Sequence, residues 1–192
     1  MQADIEDIEC IDDAERRYSY HAYNKKLYFN AIRKMDVSNG KGIGVALFTQ
    51  GCPFRCFNCF NSETWEYLGG TEFKEEHQRL ILELLKSPHV SRFSILGGEP
   101  LIYRNRQTLY NLVRSVKNTY PNKKIWLYTG RKFENAIENF SNIIENVDIL
   151  IDGQFVDALK DPKLKWRGSS NQRIIDVQKT LKDKNIVEID ND

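Results

Sequence analysis

The chain holds 192 residues, enough for one ordinary domain, with 28 basic and 27 acidic side chains and a net charge of +1. That balance supplies no field to draw nucleic acid or an anionic membrane, so neither is expected as a partner. No run reaches the ~18 apolar residues of a membrane-crossing helix. The N-terminus is acidic where a signal peptide is basic and then apolar, which predicts a cytoplasmic protein with reduced thiols.

Residues 1–17 carry seven acidic side chains and few apolar anchors, and read as a solvated arm. Residues 18–29 then turn aromatic, with Tyr18, Tyr20, Tyr23, Tyr28 and Phe29. Residues 1–27 are thus an N-terminal extension, 28–177 the domain proper and 178–192 a charged tail with room for a short helix. Within the domain, Tyr28 to Met35 suits a strand and Ser38-Asn39-Gly40-Lys41-Gly42 a turn. The apolar run from Ile43 to Thr49 predicts a buried strand that delivers the chain into Gly51 and Cys52. A helical stripe follows from Thr71 to Lys86, carried by Phe73, Leu80, Ile81, Leu84 and Leu85 and stopped by Pro88.

The alternation then repeats. Phe93 to Leu96 reads as a strand ending in Gly97-Gly98-Glu99-Pro100, and Leu109, Leu112, Val113 and Val116 mark a helical face. Ile125 to Thr129 forms a strand ending at Gly130, and Phe133, Ala136, Ile137, Phe140 and Ile144 another helix. Ile149 to Ile151 is a strand closed by Asp152-Gly153; a long polar loop, 157–172, precedes a last strand from Arg173 to Val177.

Strands separated by helical stretches predict crossover units and a parallel sheet. Five such strands and the N-terminal one are too few for a complete eight-unit barrel of about 250 residues. The expected fold is therefore α/β, a partial, open parallel β/α barrel or a curved parallel sheet. Either way, functional loops follow the C-terminal ends of strands. The cysteines, Gly97-Gly98-Glu99-Pro100, Tyr128-Thr129-Gly130 and Asp152-Gly153 all hold that position and should share one rim.

Cys52, Cys56 and Cys59 follow the pattern Cys-x3-Cys-x2-Cys and put three of the four cysteines within eight residues. A structural zinc site usually wants four ligands. His21, His77 and His89 are not placed by sequence beside this loop, and Cys10 in the acidic arm reads as a free thiol. Iron–sulfur clusters are held by thiolates, normally four for a four-iron cube, so three on one loop leave an iron open to an outside ligand. At the next strand end, Gly97 and Gly98 allow close approach to the backbone, and Glu99 offers a charge suited to an ammonium group.

The cysteine loop after one buried strand, with Gly97-Gly98-Glu99-Pro100 after the next, resembles the radical S-adenosylmethionine superfamily. Further stretches narrow this: Asn39-Gly40-Lys41-Gly42, Asn61-Ser62-Glu63-Thr64-Trp65, Trp126 to Gly130, Asp148 to Phe155, and Trp166-Arg167-Gly168-Ser169-Ser170-Asn171-Gln172-Arg173. Over roughly residues 28–177 they resemble the activating proteins of the anaerobic ribonucleoside-triphosphate reductase. The resemblance implies an oxidoreductase with the partial, open β/α barrel of that superfamily. It implies a [4Fe-4S] cluster on Cys52, Cys56 and Cys59, with S-adenosylmethionine on the remaining iron. It further implies reductive cleavage to a 5′-deoxyadenosyl radical that takes a hydrogen from a glycine of the reductase, and a one-electron donor such as flavodoxin. By the same resemblance, Gly98 and Glu99 hold the methionine end and the backbone at Asn58 and Phe60 meets the adenosyl group, with Gly97 and Cys59 counted among the cofactor-binding residues. Tyr128 and Asp152 are expected on the same rim.

The superfamily often has an aromatic residue immediately before the third cysteine; here Asn58 stands there, between Phe57 and Phe60. Loop 157–172 and the aromatic segment 18–29 are candidates for docking the partner. Two other readings share these residues: activation of a different glycyl-radical enzyme such as pyruvate formate-lyase, and a non-catalytic zinc-binding module using three thiolates and a histidine.

Overall fold

Side chains alternate across a strand, and here the alternation gives one seven-stranded sheet two different faces. The computed structural model describes residues 26–67 and 69–189. The readings of the acidic arm, Cys10, His21 and the aromatic residues before Lys26 lie outside the described residues. The strands are β1 (Tyr28–Asp36), β2 (Gly44–Thr49), β3 (Thr71–Glu72), β4 (Arg92–Gly97), β5 (Lys124–Tyr128), β6 (Ile149–Asp152) and β7 (Arg173–Asp176). The helices are α1 (Glu75–Leu85), α2 (Arg106–Thr119), α3 (Phe133–Ile144) and α4 (Val177–Asp183).

The sheet order is β3-β1-β2-β4-β5-β6-β7, with β2, β4, β5 and β6 parallel and the outer pairings antiparallel. Each parallel step is bridged by a helix, as crossover geometry requires. Val45 and Leu47, Phe93 and Ile95, and Ile125 and Leu127 point to the helices, where they meet Ile81, Leu85, Leu112 and Phe140 in one core. Each such fully buried side chain stabilises the fold by about 1.5–3 kcal/mol. Ala46, Phe48, Leu96, Trp126 and Tyr128 take the opposite face, away from the helices.

Two expectations change. Residues Thr71 and Glu72, predicted as the start of a helix, pair with β1, and the helix begins only at Glu75. Phe73 is buried there because its amide donates to the Leu27 carbonyl, extending the edge rather than opening a helical turn. The last strand, predicted among the parallel set, runs antiparallel to β6. Its connection carries only a short 3-10 turn, Asp157–Leu159, so the chain turns back at the end of the sheet it has just reached.

The opposite end of the sheet is closed by a buried polar plug. Arg92 donates to the Asp36 carboxylate at 2.7 Å and to the Ser94 hydroxyl at 2.6 Å; Ser94 in turn donates to the Asn39 carbonyl. Asn39 donates to Asp36 through its amide and its side chain. Burial pushes the Asp36 carboxyl up, but the Arg92 and Asn39 hydrogen bonds outweigh it and hold the group below its ordinary range.

Candidate metal and cofactor site

The cysteine loop leaves the end of β2 and is fixed through its backbone. Gly51 donates to the Thr64 carbonyl at 2.8 Å and Cys52 to the Trp65 carbonyl at 3.0 Å. Two residues take left-handed backbone, Arg55 (φ 45) and Asn58 (φ 54). Asparagine enters that region more readily than most residues, which suits Asn58 to this turn. The turn it makes lets the Cys59 amide donate to the Cys56 carbonyl and the Asn61 amide to Cys59 Sγ at 3.5 Å.

All three thiols are free and half-buried, and all three line one cavity of about 620 Å³. Burial and the nearby Glu99 push the Cys52 thiol up to about 12; burial and Cys59 raise Cys56. These are surroundings in which thiolate charge needs a cation beside it, and a bound metal replaces the protons. The donor set, three thiolates on one cavity wall, suits an iron–sulfur cluster. Among the described residues, no three His, Cys, Asp or Glu side chains close on a single metal ion. His77 is engaged elsewhere, accepting from the Lys74 amide and packing on Phe29 and Phe73.

The glycine turn sits on the same cavity, stitched to the cysteine loop by backbone bonds. Gly98 donates to the Thr49 carbonyl and Glu99 to the Gly51 carbonyl, each at 2.8 Å. Gly97 has φ +109, a conformation that favours glycine, and a Cβ on Gly98 would overlap the Gly51 carbonyl oxygen. Glu99 is 1% exposed. Its carboxylate accepts from the Leu101 amide, the Thr129 hydroxyl and the Gly130 amide at 2.7–2.8 Å. Burial pushes its pKa up, against the Arg131 charge and those donors. The charge is therefore satisfied within the chain rather than held out to a ligand.

The other expected residues divide. Phe60 lines the cavity with its ring edge-on to Phe155 at 5.3 Å and Lys160 Nζ 4.7 Å from its centroid. Asn58 is exposed and faces a neighbouring depression beside Phe57, so it does not form part of the main wall. Tyr128, Thr129 and Gly130 line the cavity. Asp152 does not: it is buried, accepts from the Phe133 amide at the start of α3 and pairs with Arg173. Loop 157–172 supplies Leu164, Trp166 and Arg167 to the cavity, and Trp166 packs edge-on against Trp126 at 5.1 Å. Gln154 and Arg33 were not expected there. Gln154 Oε1 lies 3.9 Å from Cys56 Sγ, and the only signal for it was its place after the Asp152-Gly153 strand end.

Residues 38–175 match the family model described as a 4Fe-4S single cluster domain. That span includes every residue lining the cavity except Arg33. The anaerobic ribonucleoside-triphosphate reductase-activating protein of Haemophilus influenzae is 37% identical over 141 residues, covering 72% of this chain and 91% of its own length. The protein of the same name from Enterobacteria phage T4 is 37% identical, covering 76% of this chain and 92% of its own. The Escherichia coli K12 protein of that name is 36% identical, covering 72% and 91%.

The chain belongs to the family of the anaerobic ribonucleoside-triphosphate reductase-activating proteins. Membership makes this an iron–sulfur protein of mixed α/β fold. No helix among the described residues is long and apolar enough to cross a membrane.

Proposed function

We propose that this chain activates an anaerobic ribonucleoside-triphosphate reductase by forming a glycyl radical on it. The single observation that carries the reading is the convergence of Cys52, Cys56 and Cys59 with the Gly97-Gly98-Glu99 turn on one cavity. Cys52, Cys56 and Cys59 are the ligands of a [4Fe-4S] cluster, and Gly97, Gly98 and Glu99 hold the methionine end of S-adenosylmethionine. When bound, the two supply one-electron cleavage of the sulfonium to methionine and a 5′-deoxyadenosyl radical able to take hydrogen from a glycine.

What the chain's own residues do follows from their placement. Three thiolates from one loop leave the fourth coordination position to a small molecule. Glu99 acts by bracing the glycine turn from behind, because its carboxylate is held by Leu101, Thr129 and Gly130. Phe60, with Phe155 beside it, offers an aromatic surface to the adenosyl group, and Cys59 and Asn58 contribute through backbone. The four parallel strands with helices on one face are read as the partial, open β/α barrel of the radical S-adenosylmethionine proteins. Its uncovered face admits a loop of another protein, whereas a closed barrel would obstruct it. The electron is supplied by a one-electron donor such as flavodoxin, and the names of the three relatives favour the reductase over pyruvate formate-lyase as substrate.

The test is anaerobic reconstitution followed by incubation with S-adenosylmethionine, a reductant and the reductase. A brown protein with about four irons per chain and a protein-based doublet by electron paramagnetic resonance is the expected result. A colourless zinc protein, or a brown one that yields no doublet, overturns the reading. Cys56→Ala should lose the iron and the cleavage together.

A further inference from the structure

Arg104 follows the glycine turn on a short 3-10 turn, Tyr103–Asn105, that leads into α2. Buried Leu101 and Ile102 anchor the segment between, and the Asn105 side chain donates to the Pro100 carbonyl at 3.2 Å. From there the arginine, only 2% exposed, reaches back to the cysteine loop. It donates to the Gln50 carbonyl at 2.7 Å and to the Tyr67 carbonyl at 2.8 Å. Gln50 is the last residue before Gly51-Cys52, and Tyr67 stands where the chain leaves the loop for β3. One guanidinium therefore holds both ends of the loop that carries all three thiols.

The fork is pinned in turn. The ring centroids of Tyr28 and Tyr67 lie 5.3 and 5.1 Å from its Cζ. The Gln50 amide donates to the Tyr28 carbonyl at 2.8 Å, which ties the same point to β1. Gln50 also closes the loop through its buried side chain, whose amide donates to the Glu66 carbonyl at 2.8 Å. A Cβ on Gly51 would lie 2.9 Å from the guanidinium, so the chain passes directly against it. A buried guanidinium is costly unless its donors are matched. Here the matching acceptors are the two ends of one loop, which an apolar side chain of that length could not join.

A loop free at its base would have to be ordered as the metal binds, and that ordering subtracts from affinity. We propose that Arg104 is a positioning residue for the metal centre. It latches the base of the cysteine loop, so that Cys52, Cys56 and Cys59 are gathered before iron arrives. This rests on the ligand set proposed above, and on neither S-adenosylmethionine nor the reductase. The planar fork suits the task, since it offers donors to two carbonyls at a fixed spacing, where lysine is a single point donor.

The test compares Arg104→Met and Arg104→Lys with the parent and with Leu112→Ala, which opens a cavity in the helix-side core. Two rates are read: amide hydrogen exchange in the metal-free, reduced chain, and iron release to a chelator after anaerobic reconstitution. In Arg104→Met the Gly51 and Cys52 amides, which donate across the loop, should exchange at least about tenfold faster. Iron release should quicken by a similar factor. Arg104→Lys should fall between, about threefold faster than the parent. Leu112→Ala should lower the melting temperature yet leave both rates within about twofold, because local opening of the loop does not disturb that core.

Unchanged loop exchange or iron release in Arg104→Met overturns the assignment. So does Leu112→Ala raising both rates as much, which would make the effect one of general stability. Should Arg104→Met fail to fold, Arg104→Lys carries the test, and parent-like loop exchange there overturns the latch. A parent chain that takes up no iron instead refutes the ligand set beneath it.

Discussion

The Thr129 hydroxyl donates to the Glu99 carboxylate at 2.7 Å, joining the ends of β4 and β5 through one buried anion. The Gly130 and Leu101 amides complete the set at 2.8 Å each. Two neighbouring strand ends on the cavity are thereby held at a fixed spacing. The glycine turn inherits its position from that tie, since Gly97 and Gly98 have no side chains to anchor them.

Glu99→Gln should therefore destabilise the chain before any ligand is considered. A glutamine presents one acceptor oxygen and one NH₂ group to a shell made of donors, so at least one buried donor is left unmatched. The expected loss is about 1.5–3 kcal/mol, as for hydrogen bonds to a charged group. Urea denaturation of the metal-free, reduced protein measures it. Thr129→Val should cost less, about 1 kcal/mol, and the double variant less than the sum, because both act on one network. Additive losses would show that the two residues are not coupled.

Asp152 is separated from the cavity by the same kind of reasoning. Its carboxylate accepts from the Phe133 amide at 2.8 Å, at the positive end of α3, and pairs with Arg173, which also reaches Glu134. Asp152→Asn leaves the guanidinium without its buried partner, and a loss of roughly 3–5 kcal/mol is expected. Thermal melting of the metal-free protein reads this directly. A variant that melts with the parent yet loses S-adenosylmethionine affinity would return Asp152 to the site.

The strands that form this rim were legible because each is a short apolar run closed by a glycine, and a buried strand cannot be written otherwise. The cysteine spacing was legible for a different reason: three soft ligands within eight residues have few other uses. Tertiary pairing was not legible. Thr71 and Glu72 match a helical stripe by period, and only the edge of β1 opposite them turns them into a strand. Glu99 reads as an exposed charge in the sequence, whereas its burial depends on Thr129 and Gly130, 30 residues or more away. Asp152 occupies a rim position in the sequence, but its side chain is drawn behind the rim by a helix end and an arginine from β7. In each case the deciding partner is distant in the chain.

The plug at the far end of the sheet predicts a pH response. Asp36 is held below its ordinary range when folded, so the folded state favours its ionised form. Its contribution is fully present above the unfolded value of about 3.9 and is lost as pH falls through the lower folded value. Parent stability should hold from pH 7 to about 4 on this account and then decline. Asp36→Asn removes a partner of buried Arg92 and should be less stable by roughly 3–5 kcal/mol at pH 7. The gap between the two should close on acidification, as measured by denaturation at a series of pH values. A gap of constant size down to pH 2 would mean the carboxylate charge does not matter.

Gly98 makes the most local demand of all. A Cβ there would overlap the Gly51 carbonyl oxygen and lie 2.9 Å from Gly51 C and 3.0 Å from the Thr64 carbonyl oxygen. These are backbone atoms, fixed by the bonds that place Cys52, and none can rotate aside. Gly69 offers a contrast, because a Cβ there would first meet a side-chain atom, the Gln50 amide nitrogen at 2.8 Å, whose shift would weaken its bonds to the Glu63 and Glu66 carbonyls without moving the backbone. Gly98→Ala should cost about 1–3 kcal/mol, the range for overpacking a close-packed site, and Gly69→Ala distinctly less. Because the overlap pushes the glycine turn off the cysteine loop, Gly98→Ala should also retain less iron after anaerobic reconstitution, scored as iron per chain. Full iron and parent-like melting in Gly98→Ala would show that the turn and the loop can separate without consequence.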